Sequence, residues 1–157
     1  AEVLRLSIEN RRKQLAQCVW LRARVAAHLA AGMSVIVLGD FNDGPGLDEY
    51  EKLFGRSGVE VVAGENGAPP LHDPHVALAL TRRFAAPPVT ARFRMPDGTW
   101  LSALLDYIMI SGDLMTLSPR WRIWHPFDDA ACFADPVLRD ALLAASDHFP
   151  VTLDIAL

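Results

Sequence analysis

The feature that most constrains this chain is a run of four apolar residues, Val35-Ile36-Val37-Leu38, that opens directly into Gly39-Asp40-Phe41-Asn42-Asp43-Gly44-Pro45-Gly46. A short, unalternated, β-branched run reads as a buried central strand, and the Gly- and Pro-rich stretch after it cannot continue one. Asp40 and Asn42 are therefore aimed by the carboxyl end of a rigid element, while Phe41 turns to the other face by the period-two alternation of a strand. Upstream, Leu15, Cys18, Arg22, Val25 and Leu29 recur at helical spacing, with Val19 and Ala26 beside them. Gly32 is placed to cap that helix. Taken alone, Asp and Asn in such a loop are most often turn formers that bond their own backbone.

Further along, Leu47–Phe54 reads as a short helix, and 55–70 as loop around a strand at Val59–Val62. Thr90–Met95 alternates as a strand, Pro96-Asp97-Gly98 is a turn signal, and Trp100–Ser111 returns as the second arm of a hairpin. Arg120–His125 alternates as a half-exposed strand. Asp135-Pro136 is an N-cap followed by Pro at the first helical position, opening a helix to about Ala145, and Phe149–Ile155 closes the chain as a strand. The pattern predicts a mixed α/β domain: one mixed sheet with helices packed on one face. At 157 residues the chain fits one domain. No apolar run reaches the ~18 residues of a membrane-spanning helix. A net charge of −4 argues against non-specific coating of nucleic acid, which rests on Lys and Arg, without excluding a nuclease. Two cysteines, Cys18 and Cys132, form no disulfide framework or metal spacing, and a reducing, cytoplasmic setting is the expectation.

Two more segments place polar residues at strand ends. In Leu104-Leu105-Asp106-Tyr107-Ile108-Met109-Ile110, an Asp inside an apolar strand either faces solvent or has a partner, because burying it unpaired is costly. In Ser146-Asp147-His148-Phe149-Pro150, adjacent Asp and His offer a hard oxygen ligand and a titratable imidazole, although a simple helix-to-strand turn also accounts for them. Read together, Asp106 could hold one nitrogen of His148 so that the other faces a phosphate, and Asp147 could ligate Mg²⁺ with water and substrate phosphate. Asp40 and Asn42 would orient a water and donate to a phosphoryl oxygen, the positioning chemistry of phosphoryl transfer.

The ordered triplet Gly39-Asp40-Phe41-Asn42, Leu105-Asp106-Tyr107-Ile108 and Ser146-Asp147-His148-Phe149-Pro150-Val151 resembles the endonuclease/exonuclease/phosphatase family. That family includes AP endonucleases, DNase I-like nucleases, neutral sphingomyelinases and inositol polyphosphate phosphatases. The resemblance implies a four-layer α/β sandwich and Mg²⁺- or Mn²⁺-dependent hydrolysis of phosphate esters, whether nucleic acid, phospholipid or small phosphoester. It implies that Asp40 orients water or acts as general base and that Asn42 donates to a phosphate oxygen. It further implies that Asp106 orients His148, that Asp147 ligates metal, and that His148 stabilises charge on the scissile phosphate.

Family members also carry an N-terminal half with its own sheet, an Asn and a metal-binding Glu. No Glu here stands in a matching context: Glu2 and Glu9 belong to the first helix or its lead-in, and Glu49, Glu51, Glu60 and Glu65 follow the first motif. The expectation is a C-terminal half whose open apolar sheet face is covered by the missing N-terminal half or by a homodimer partner. Such a chain would be inactive alone, and a non-catalytic, self-associating half-domain is the alternative reading. His72-Asp73-Pro74-His75 suggests a loop more than a second metal cluster. Arg82, Arg83, Arg92, Arg94, Arg120 and Arg122 could line a phosphate-rich groove or simply be solvated. Ser102-Ala103-Leu104 is small where AP endonucleases place an aromatic wedge, though Trp100 is near, which argues against abasic-site specificity.

Overall fold

The computed structural model describes residues 2–47, 51–64, 69–81 and 87–156. Helix α1 runs from Glu2 to Ala30, and its Cys18 and Val25 are buried against the main core with Leu21 and Leu29 beside them. It ends in a Schellman motif. Gly32 adopts φ +74, Met33 N–H donates to His28 C=O at 3.1 Å, and Gly32 N–H donates to Leu29 C=O at 3.0 Å. Strand β1 (Ile36–Asp40) pairs antiparallel with β5 (Asp106–Ser111), Ile36 opposite Ile110 and Asp40 opposite Asp106.

The sequence reading of a strand at Val59–Val62 is corrected here: Gly58–Ala63 is a helix, α3, following the short α2 (Glu51–Phe54). Ser57 and Glu60 form a reciprocal capping box, and Val59 and Val62, three apart, are both fully buried. Next, β2 (Leu71–His72) pairs with the far edge of β5 for two residues only. Asp73 then replaces the ladder. One of its oxygens accepts from Ile108 N–H at 3.0 Å, and the other caps α4 (Pro74–Thr81) by accepting from His75 N–H at 2.7 Å.

The expected hairpin forms, as β3 (Ala91–Arg94) with β4 (Trp100–Ala103), but Trp100–Ser111 is not one strand. The chain bends at Leu104-Leu105, where Thr90 Oγ1 accepts from Leu105 and Asp106 N–H at 2.9 and 3.0 Å. That switch hands the second half of the segment to β1. Strand β6 (Arg120–Ile123) pairs with β7 (Val151–Asp154), flanked by α5 (Ala130–Ala134) and α6 (Pro136–Ala145), the latter capped by Asp135 with Pro136 at its start. The chain is thus mixed α/β, but the predicted single mixed sheet becomes three antiparallel ones among the described residues. An isolated bridge between Ala91 and His148 and a bond from Trp121 Nε1 to Ile108 C=O at 2.7 Å join them. Strand β1 lies at the edge of its sheet in the described residues, not at its centre. Val35 and Val37 pack into the helix-covered core, whereas Ile36 and Leu38 turn outward, Leu38 being 69% exposed.

Candidate active site

The sheet switch at Leu104-Leu105 brings three strand ends to one place. Asp106 Oδ2 lies 2.9 Å from His148 Nδ1, and both side chains are partly buried. His148 is set by its backbone: its N–H donates to Ser146 Oγ at 3.0 Å, it bridges Ala91, and Phe149 N–H donates to Thr90 C=O at 2.7 Å. The Phe93 ring meets the imidazole edge to face, with centroids 5.7 Å apart. Asp40 stands directly across the ladder from Asp106, and oxygen or nitrogen atoms of Asp40, Asp106 and His148 all lie within 4.8 Å of one another.

Two carboxylates directly opposite on a ladder repel unless a cation or donor sits with them. Here the imidazole serves one and Asn42 the other. Asn42, at φ +47, donates its N–H to Asp40 Oδ1 at 2.7 Å and its side-chain amide to Oδ2 at 3.1 Å. The turn-forming reading of these two residues is realised, and the turn itself pins Asp40 beside the dyad. Desolvation pushes the His148 pKa down, but the hydrogen bond and charge of Asp106, aided by Asp40 and Asp147, outweigh it and raise the value. Asp147 is exposed. Among the described residues its carboxylate makes only a 3.4 Å contact with Ser146 Oγ, and its carbonyl accepts from Arg92 N–H at 2.8 Å. It lies outside the three-residue group.

The loop after β1 is anchored by residues that sequence reasoning missed. Gln14 of α1 donates its amide to Phe41 and Asn42 C=O at 2.8 and 2.9 Å. Asp43, fully buried, accepts from Arg11 Nη1 at 3.0 Å, from Gly44 N–H at 2.9 Å and from Gly58 N–H. The Tyr107 hydroxyl lies 2.7 Å from Leu104 C=O and 3.1 Å from Asp43 C=O, and its ring meets Phe41 edge to face. A signal for Asp43 existed in principle, since a third acidic residue in a Gly/Pro loop invites an anchor, but its partners are far away in sequence.

Other sequence candidates resolve into structure. Asp73 is consumed by capping and by Ile108, and His75 Nδ1, 3.3 Å from Asp73 Oδ1 but misaligned, has no hydrogen-bond partner among the described residues. Among the described residues Asp40, Asp106 and His148 are the group that could hold a metal ion. Arg122 clamps Asp129 with two 2.8 Å bonds and stacks 3.7 Å from the Trp124 ring centroid, a structural role. Arg82 and Arg83 lie outside the described residues. The Cys18 thiol is pushed up to about 11 by burial and by the charge of Asp43, so it is an inert core residue. The site groove, about 300 Å³, is walled by Leu38, Asp40, Asp106, Ile108, His148 and Phe149. A larger apolar cavity of about 360 Å³ among α3, α4 and β5 holds none of the site residues.

No described helix is long and apolar enough to cross a membrane. Comparison with curated proteins and with solved structures found no match. A family model described as the Endonuclease/Exonuclease/phosphatase family matches residues 9–148, a span that holds Asp40, Asn42, Asp106, Asp147 and His148. Three motifs in order, a shared strand-end cluster and a match over most of the sequence converge on one assignment. The chain belongs to the endonuclease/exonuclease/phosphatase family.

Proposed function

We propose that this chain carries the His148 side of the active site of a divalent-metal-dependent phosphoesterase. The observation that carries the reading is the 2.9 Å contact between Asp106 and His148 with Asp40 directly across the ladder. Asp106 accepts the Nδ1 proton and, by raising the imidazole pKa, favours the protonated ring, whose Nε2–H then faces a phosphate oxygen. Asp40 accepts a proton from the attacking water. Asn42 gives one amide hydrogen to Asp40 and keeps the second for a phosphoryl oxygen. Each group acts by position and charge on a transition state that needs little covalent help.

The donors near His148 fit a hard cation, because carboxylate oxygens dominate and Mg²⁺ completes its shell with water and phosphate. We assign Asp147, whose carboxylate has the weakest internal commitments, as the ligand for Mg²⁺ or Mn²⁺. The ion, when bound, supplies neutralisation of charge on the phosphate. No Glu joins the cluster among the described residues, so a further carboxylate has to come from elsewhere. The outward Ile36 and Leu38 support a covering element, which we assign to the N-terminal half of the family fold. A second copy of the chain is the other occupant, and in that case the half-domain is a self-associating module that keeps its motifs structurally. Sedimentation separates the two.

The test is hydrolysis of bis(p-nitrophenyl) phosphate with Mg²⁺ or Mn²⁺, by this chain and by the protein carrying the upstream half. The expected result is little or no turnover by the chain alone and EDTA-sensitive turnover by the longer protein. Turnover that persists in EDTA would refute the reading.

A further inference from the structure

We propose that His125 is a positioning residue for His148 and a pH latch: its neutral ring closes the turn after β6 and props Phe149, the residue that follows His148, and protonation releases the prop. The latch stands on contacts of this chain, while its effect on turnover rests on the phosphoesterase reading. His125 lies buried, two residues beyond β6. Its Nδ1 accepts from Phe127 N–H at 3.2 Å and from Asp128 N–H at 3.0 Å, and its C=O accepts from Asp129 N–H at 3.1 Å. A backbone hydrogen cannot rotate away, so a hydrogen on Nδ1 would meet two others. In this arrangement the ring is therefore neutral, with its hydrogen on Nε2.

The same ring meets Phe149 edge to face, with centroids 4.6 Å apart and planes at 77°. Phe149 is itself buried, and the backbone around it is held on both sides. Its N–H donates to Thr90 C=O at 2.7 Å, and Pro150 C=O accepts from Trp124 N–H at 2.9 Å. Thr90 is also the residue whose hydroxyl makes the switch into β5. His148 is thus held directly by Asp106 and, one residue on, through the contact of Phe149 with His125.

Protonation gives the ring a different partner, which is what a two-state element requires. Asp128 Oδ2 lies 3.2 Å from Nδ1 on an exposed side chain, placed to take an Nδ1 hydrogen once the two N–H groups move off. Among the described residues the charged groups that face the ring are Asp128 from its own turn and Arg92 from β3, while Phe127 and Phe149 bring none. Burial is the largest influence on its pKa and lowers it; Asp128 raises it, Arg92 lowers it, and the value settles below 6.5. A lowered folded value contributes stability that is present above pH 6.5 and lost as pH falls through the folded pKa, the opposite sign to His148. Between the two values His148 carries charge while His125 stays neutral, so acid opens the latch without discharging the dyad.

The test is long-range proton–nitrogen NMR of the histidine rings of this chain, with melting curves to confirm folding. At neutral pH His125 should carry its hydrogen on Nε2. It should titrate below 6.5, with the Phe127, Asp128 and Phe149 amide signals moving alongside and the His125–Phe149 ring NOE weakening. A hydrogen on Nδ1 at neutral pH, a value of 6.5 or above, or an NOE indifferent to the titration overturns the inference. His125→Asn keeps an acceptor where Nδ1 stands and cannot titrate, so the Phe127 and Asp128 amides should stop responding over that range. Amides that still respond place the titration on Asp128 and refute the latch. In the longer protein, kcat for bis(p-nitrophenyl) phosphate should fall about 10- to 100-fold through the His125 pKa with KM little changed, as loss of a supporting partner does. His125→Asn, which lacks the ring, should be slow at neutral pH by a similar factor and show no fall through that value. Unaltered kcat, or the same acid limb, in folded His125→Asn overturns the positioning role. A latch that titrates as expected with no His148-dependent turnover would instead refute the phosphoesterase reading.

Discussion

Replacing Asp43 by Asn tests how the site loop is held. The carboxylate is fully buried, and both oxygens accept: one from Arg11 Nη1 and Gly44 N–H, the other from Gly58 N–H. Asn keeps the shape but turns one oxygen into an NH₂ that faces a backbone or guanidinium donor, and it removes the charge opposite Arg11. Breaking a buried pair from one side costs about 3–5 kcal/mol. For a chain of this size each kcal/mol lowers Tm by about 2–4 °C, so Asp43→Asn should melt about 6–20 °C below the unaltered chain. Differential scanning calorimetry at pH 7, with a urea midpoint as a second measure, reads this directly. A Tm within about 2 °C would show that the anchor contributes little and that Gln14 and Tyr107 alone hold the loop.

Other outcomes follow from the same contacts. Gly44→Ala places a Cβ 2.6 Å from Tyr107 Oη and 2.9 Å from Leu104 C=O, so the urea midpoint should drop by the equivalent of about 1–3 kcal/mol. An unchanged midpoint would contradict the close approach. Proton NMR should place the His148 pKa above its ordinary 6.5, and Asp106→Asn should bring it down. The sign for stability follows. A raised folded value makes the dyad stabilising below pH 6.5 and lost as pH rises through the folded pKa, so the Asp106→Asn penalty should shrink in alkaline buffer. In the longer protein Asp106→Asn should also lower turnover about 10- to 100-fold, as loss of an orienting partner does, and wild-type rates would count against the dyad.

The strand ends were legible because an Asp in an apolar run and an Asp-Pro cap are local signals, readable at Asp106 and Asp135. The same logic was available at Asp73-Pro74, where the Pro and the short spacing of the histidines were read as a loop, and α4 was missed. Gly58–Ala63 fits strand alternation as well as a helical turn, and only the Ser57–Glu60 box decides it. The split of Trp100–Ser111 depends on Thr90 Oγ1, a tertiary contact with no trace in local periodicity. Arg11, 32 residues from Asp43, and Gln14, 27 from Phe41, reach the loop across the fold, and helical spacing alone cannot single them out. Val35–Leu38 read as buried on both faces, yet Leu38 is open, since apolar composition cannot say which element supplies the cover.

The central claim, that Asp106-held His148 stabilises charge on a scissile phosphate, is tested most directly by one comparison in the longer protein. Steady-state hydrolysis of bis(p-nitrophenyl) phosphate in saturating Mg²⁺ is measured for the unaltered protein and for His148→Ala, with melting curves confirming equal folding. The account predicts a fall in kcat of about 10²–10³-fold or more, the loss expected for one transition-state donor. Undiminished turnover in a folded His148→Ala variant would contradict it.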